Sequence, residues 1–194
     1  MIDELSHYIA VFLAKNDGKE TDNVPIYEVG VDVILSTGIT AIGVMLIAIL
    51  MRSMLGGWIY LFCFMTIRSY SGGYHASTRT KCFLLTCGMF AAVSLGVKTI
   101  NEEYRCLIIA GLTLTDILTF YLFVPIENKN KILPEDWKIQ NKKKAWISML
   151  TWKGIAFCLY AWNVEIALYI CLTETVITLL ILQCKPWEEK KNEE

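Results

Sequence analysis

The sequence predicts an all-α, polytopic integral membrane helical bundle of four to six spans, six preferred, with an amphipathic helix at its N-terminus. Three observations predict it. The first is composition: 55% of the 194 residues are apolar and only 19% are charged. Soluble domains carry about 25% charged residues. With glycine counted in place of tyrosine the apolar share is about 57%, above the roughly 45–50% of soluble domains. Mean hydropathy is +0.44. The second is that the apolar residues fall into long uncharged runs. The third is that charge collects between those runs. The whole chain, 1–194, reads as a single membrane domain: an N-terminal amphipathic and aqueous segment over 1–32, a bundle over 33–184 and a charged tail over 185–194.

The elements follow in order. Residues 1–14 contain Asp3 and Glu4 where a secretory leader would be basic, so no leader is expected. Ile2, Leu5, Ile9 and Phe12 recur at helical spacing on one face. That helix either lies in the membrane interface or packs on the rest of the protein. Lys15-Asn16-Asp17-Gly18 is its stop signal. The acidic stretch to Asp32 belongs in water. Val33 to Met51 is then 19 residues without a charge, Ser53 to Ile67 gives 15, and Cys82 to Val97 gives 16. Cys106 to Ile126 is 21 residues with Asp116 alone. Ala145 to Trp162 holds Lys153, and Val164 to Cys184 holds Glu165 and Glu174. A span needs about 20 apolar residues, with a range of about 17–25. Four runs reach that length; 53–67 and 82–97 are short, as half-buried or re-entrant segments are.

Orientation follows from lysine and arginine in short loops. Residues 68–81 and 127–144 each carry a net +3, whereas 98–105 balances at zero. The two basic loops are expected at the cytoplasmic face, and six spans place both termini there. The overall net charge of −1 offers no basic field for nucleic acid.

The seven cysteines, Cys63, Cys82, Cys87, Cys106, Cys158, Cys171 and Cys184, are odd in number and form no CxxC. They make neither a disulfide framework nor a zinc site. With two histidines and no HExxH, no metal and no cofactor are expected. Most of the cysteines read as small core or lipid-facing residues.

Cys82 stands apart. It closes the polar segment Arg68-Ser69-Tyr70-Ser71-Gly72-Gly73-Tyr74-His75-Ala76-Ser77-Thr78-Arg79-Thr80-Lys81-Cys82, which lies between two apolar runs. A nucleophilic cysteine acts as a thiolate. A helix N-terminus, the neighbouring Arg79 and Lys81, and His75 as a base all favour that form. Cys87, deeper in the run, has none of these. Seven residues of straight helix separate two side chains by about 10.5 Å at about 1.5 Å per residue. A hydrogen bond needs about 2.6–3.2 Å. His75 and Cys82 therefore pair only if the chain breaks or folds back before Cys82, and Gly72-Gly73 permits such a turn.

The pattern R-x-x-x-G-G-x-H-x-x-x-x-x-x-C at Arg68, Gly72, Gly73, His75 and Cys82 resembles the signature of the AgrB family, accessory gene regulator membrane endopeptidases of Gram-positive bacteria. Pro125-Ile126-Glu127-Asn128-Lys129-Asn130-Lys131 resembles the family's second characteristic stretch, although Pro134 comes later than in the family pattern. The resemblance covers essentially the whole chain. It implies that Cys82 is the nucleophile and His75 the base in cleavage of an AgrD-like propeptide. Cleavage passes through an acyl-enzyme thioester. A cysteine or serine of the peptide core then attacks it to close a thiolactone or lactone ring.

Arg68, Gly72, Gly73 and Ser77 are expected to support that site, and Arg79, Lys81, Lys129 and Lys131 to meet the acidic propeptide tail. Glu127 and Asn128 can line it. Lys142, Lys143 and Lys144 read as a positive-inside anchor or as further tail contacts. The expected partners are the propeptide and the lipid bilayer, and the short runs allow a homodimer that buries them. Asp116 lies mid-run and is expected to pair with a Lys or Arg of another span or to bond Thr113, Thr115 or Thr119, whereas Glu165 and Glu174, with Lys153 as a partner, read as packing or interface groups. One competing reading is a small peptide exporter, in which Asp116, Glu165 and Glu174 become pathway groups; another is a non-catalytic membrane scaffold that binds a partner helix. His7 is expected at the surface.

Overall fold

A computed structural model describes residues 2–16, 24–71, 78–124 and 135–183. Among them are seven α-helices and no strand: α1 (Ile2–Asn16), α2 (Val24–Leu50), α3 (Met54–Ser71), α4 (Arg79–Thr99), α5 (Glu102–Phe123), α6 (Glu135–Tyr160) and α7 (Val164–Leu182). The all-α membrane bundle with an N-terminal helix is therefore the observed architecture. Four helices, α2, α4, α5 and α7, are long and apolar enough to cross a membrane. α3 has only 18 residues and ends in the polar Arg68-Ser69-Tyr70-Ser71. The first half of α6 carries Lys142, Lys143 and Lys144.

The chain forms two compact units, Met1–Gly43 and Val44–Glu194. In the first, the expected apolar stripe of α1 is not the face that packs. Ser6, Ala10 and Ala14 are buried, while Leu5 and Phe12 stay exposed. The helix rests on its small side chains and leaves its large apolar ones outside, as an interfacial helix does. His7 Nδ1 lies 3.2 Å from Glu28 Oε2. α2 starts at Val24, with Pro25 in its first turn where a missing N–H costs nothing. It thus takes Glu28 and Asp32, read from sequence as an aqueous stretch, into the helix.

In the second unit, α2 ends in a Schellman turn. Ser53 N–H donates to Ala48 O at 2.8 Å and Arg52 N–H to Ile49 O at 3.0 Å. Arg52 takes the left-handed conformation that glycine usually supplies there, at φ 50°. The turn feeds α3, whose buried residues Gly56, Gly57, Tyr60, Cys63, Ile67 and Ser71 form one stripe.

α7 is the centre of the unit. It packs against α3, α4, α5 and α6, and a helix apolar on all sides is suited to that position. Asn163 caps its start, accepting from Glu165 N at 3.0 Å and Ile166 N at 3.3 Å. Around it the core gathers Cys63 and Ile67 of α3, Phe120 of α5, Met149 and Ala156 of α6, and Ile170 and Ile177 of α7. α5, by contrast, buries only Asp116, Thr119 and Phe120 and leaves Leu107, Leu114, Leu118 and Tyr121 exposed.

The first turn of α3 touches α7 through bare backbone. A Cβ on Gly56 would fall inside the Tyr169 ring. That ring is fixed because its hydroxyl bonds Ser53 Oγ and, at 3.2 Å, Ser94 Oγ. Gly56→Ala should therefore destabilise the detergent-solubilised protein by about 1–3 kcal/mol of overpacking, read as a lower melting temperature. Gly111→Ala and Gly154→Ala, whose sites are open, should be neutral or stabilising by up to about 1 kcal/mol. An equal response at all three positions would contradict the Gly56–Tyr169 packing.

Candidate active site

Thr78 ends the segment before α4. Its backbone is extended (φ −136, ψ 150), and its side chain accepts from Lys81 N at 3.3 Å. Threonine is suited to this, because its hydroxyl satisfies one of the amides that a helix start leaves open. Arg79, Thr80, Lys81 and Cys82 make the first turn, and Cys82 N–H donates to Thr78 O at 3.1 Å. Cys82 thus opens a helix, as its sequence position suggested. It is exposed, as are Cys106 and Cys158, whereas Cys63, Cys87 and Cys171 are buried; of the exposed three, Cys82 alone sits on the first turn of its helix beside Arg79 and Lys81. The extended Thr78 marks the start of α4.

The start of α4 is held from below. Thr86 Oγ1 donates to Cys82 O at 2.9 Å. The fully buried Tyr60 hydroxyl of α3 donates to Thr86 O at 3.1 Å. Tyr60 is itself clamped between Phe64 and Phe90, with ring centroids 5.4 and 5.2 Å away. Sequence reading did not find this link, because a tyrosine in an apolar run gives no signal of what its hydroxyl meets.

Basic residues gather at the same end of the unit. Lys144 Nζ lies 5.6 Å from the Tyr70 ring centroid, near the end of α3. Trp146 meets Phe120 near the end of α5, with centroids 6.3 Å apart. Lower down, Trp152 Nε1 donates to Thr66 Oγ1 at 2.7 Å, so α6 descends along α3. The Ser53–Tyr169–Ser94 contacts and an open cavity of about 480 Å³ lined by Glu102, Arg105, Asn163, Val164 and Glu165 mark the opposite end. Arg68, Arg79, Lys81 and Lys142–Lys144 thus share the Cys82 end. His75, Gly72, Gly73, Ser77, Glu127, Asn128, Lys129, Lys131 and Cys184 lie outside the described residues.

The ionisable groups of the apolar runs form a separate cluster. Lys153 Nζ of α6 lies 2.9 Å from Asp116 Oδ2 of α5 and 2.7 Å from Glu174 Oε2 of α7. Thr178 Oγ1 donates to Asp116 Oδ1 at 3.0 Å. Both carboxylates are fully buried. The expected pairing across spans is therefore present for Asp116, Lys153 and Glu174. Glu165 instead borders the cavity at the far end. Among the described residues, no group of histidine, cysteine and carboxylate side chains is arranged to hold a metal.

The fold and this end of the bundle define a class: a helical membrane protein presenting an accessible cysteine on a helix start among basic residues. The family model Accessory gene regulator B (AgrB) matches residues 6–184, and the chain belongs to this family. A protein described as AgrB-like from Clostridium perfringens strain SM101 (Type A) is 27% identical over 158 residues, covering 78% of this chain and 73% of that protein. A second, AgrB-like protein 2 of Clostridium perfringens strain 13 (Type A), is 25% identical over the same shares. No solved structure matches significantly. Family membership supports a role in the accessory gene regulator quorum-sensing system, with membrane association and an AgrD-like partner.

Thiol accessibility checks this geometry. In single-cysteine variants in detergent, Cys82 should react with a maleimide roughly tenfold or more faster than Cys63 or Cys87, which require local opening. Equal rates would place Cys82 inside the core.

Proposed function

We propose that the protein is a membrane cysteine endopeptidase that removes the C-terminal tail of an AgrD-like propeptide and permits its cyclisation. The observation that carries this reading is the accessible Cys82 on the first turn of α4, in a chain of the AgrB family. Cys82 Sγ attacks the scissile carbonyl while His75 takes the thiol proton. The C–N bond breaks, the amine of the tail leaves with that proton, and the acyl group stays on Cys82 as a thioester. A thiol or hydroxyl of the peptide core then attacks the thioester, forming the ring and returning the proton to Cys82. The thioester conserves most of the acyl energy, so no nucleotide is needed. Water competes for the same intermediate, and the apolar walls of α3 and α4 limit its access.

Arg68, Gly72, Gly73 and Ser77 shape the site in this reading, and Arg79, Lys81, Lys129 and Lys131 attract the acidic tail. The site and both termini face the cytoplasm, as the positive loops direct. A homodimer that buries the short runs is compatible with this reading. A second reading, a small peptide exporter, is favoured by one observation, the buried charges Asp116, Lys153 and Glu174. A non-catalytic membrane scaffold would need neither those charges nor Cys82.

Co-expression with a tagged propeptide separates the readings. Cys82→Ser and His75→Ala should abolish tail release, a loss on the order of 10⁴-fold or more for a nucleophile–base unit. Release by both variants overturns the endopeptidase and leaves the exporter or scaffold.

Charge reversal of Lys142, Lys143 and Lys144 to glutamate should slow cleavage of an acidic-tailed peptide, with the difference shrinking as salt rises. Unchanged cleavage would leave these lysines as a topological anchor only.

A further inference from the structure

The buried cluster does not balance. Asp116 and Glu174 bring two negative charges and Lys153 one positive charge, all on helix segments removed from water. An uncompensated charge in such a place is costly, and a bilayer adds to that cost. One further positive equivalent is required. We propose that the cluster is a proton-binding site, with one proton held on Glu174.

The hydrogen bonds choose between the two carboxyls. Asp116 has both oxygens served: Oδ1 accepts from Thr178, and Oδ2 accepts from Lys153 with the Thr175 hydroxyl 3.5 Å away. That is the surrounding of an ionised carboxylate. Glu174 is fully buried and points into the cluster, with Oε2 against Lys153. Neither oxygen has a well-aligned hydrogen-bond donor among the described residues, Oε2 being only ion-paired with Lys153 at 2.7 Å and Oε1 having no partner at all. A buried anionic oxygen without a donor is the costlier state, and protonation removes its charge.

The groups around Glu174 leave the proton no competitor of opposite sign. α5 offers Asp116 and Thr113, and α6 offers Lys153. α3 offers the buried Cys63, close enough to interact electrostatically with Glu174. α7 itself offers Cys171, Thr175 and Thr178. α4 meets α7 through Ser94 and Tyr169, which are neutral. A sodium ion in place of the proton would need about six oxygen ligands of the kind hard cations take, and the free Glu174 Oε1 is a single one. The chemistry is simple protonation: one carboxylate takes one proton and becomes a carboxylic acid. It is separate from Cys82 and does not depend on the endopeptidase reading.

Infrared spectroscopy of the full chain in lipid nanodiscs at pH 7 tests it. Wild type should show one protonated-carboxyl C=O band, displaced in D₂O. The band should vanish in Glu174→Gln. It should also vanish in Asp116→Asn, where Lys153 and Glu174 alone already balance. A wild-type spectrum without the band overturns the proposal whatever the variants do, so misfolding of a variant does not shield it. A band that persists in Glu174→Gln places the proton elsewhere and also overturns it. Repeating the wild-type spectrum with sodium chloride added to a sodium-free buffer gives the ion control. Loss of the band on adding sodium would make the cation sodium.

Discussion

The ion cluster of Asp116, Lys153 and Glu174 is the constraint on which the second unit depends. It ties α5, α6 and α7 at one level, and removing Lys153 costs about 3–5 kcal/mol because both carboxylates stay buried without a cation. α5 buries little else on its inner face beyond Thr119 and Phe120. It packs on α7 through Phe120, with Ile109 and Phe123 against the same core, and in lipid there is no apolar driving force to add. The cluster therefore sets both the rotation of α5 about its axis and the depth of Lys153 on α6.

α7 makes this possible by being central. Its Tyr169 hydroxyl reaches Ser53 and Ser94, its Glu174 reaches Lys153, and its Ile177 and Ile181 join the core shared with α3 and α6. A single helix thus fixes α3 and α4 at one level and α5 and α6 at another. The start of α4 inherits its position from this arrangement: Tyr60, held between Phe64 and Phe90, bonds the turn that follows Cys82. An accessible cysteine is in this way supported by side chains that never meet solvent.

Much of this was legible in the sequence. The uncharged runs became helices, Cys82 opened one of them, and of the charges inside the runs Asp116, Lys153 and Glu174 found each other while Glu165 did not. The helix limits were less legible. α2 begins at Val24 and α6 at Glu135, well before their uncharged runs, because a helix continues into water wherever polar side chains leave its backbone bonds intact. Counting uncharged residues locates the apolar core of a helix and not its ends. The face by which α1 packs was also hidden, since close approach through Ser6, Ala10 and Ala14 is decided by size and not by hydropathy. For the site, composition singled out Cys82 among seven cysteines through its polar flank. The Tyr60–Thr86 support could not be read, because it joins residues 26 apart whose side chains look like ordinary core.

Cys82 and the ion cluster meet their apolar surroundings in opposite ways. Around the ion cluster, exclusion of water raises the cost of imbalance, so three charges are held in one geometry and a further proton is required. At Cys82 the thiol stays exposed, and the apolar residues lie beneath it and beside it. A reactive thiol needs access to a peptide from outside the bundle, whereas a charge cluster in the core needs to be out of reach of one. The separation follows from the depth of each residue on its helix. Cys82 is on the first turn of α4, and Glu174 is near the middle of α7. Moving Cys82 two turns inward would bring it to the level of Phe90, where no substrate could reach it.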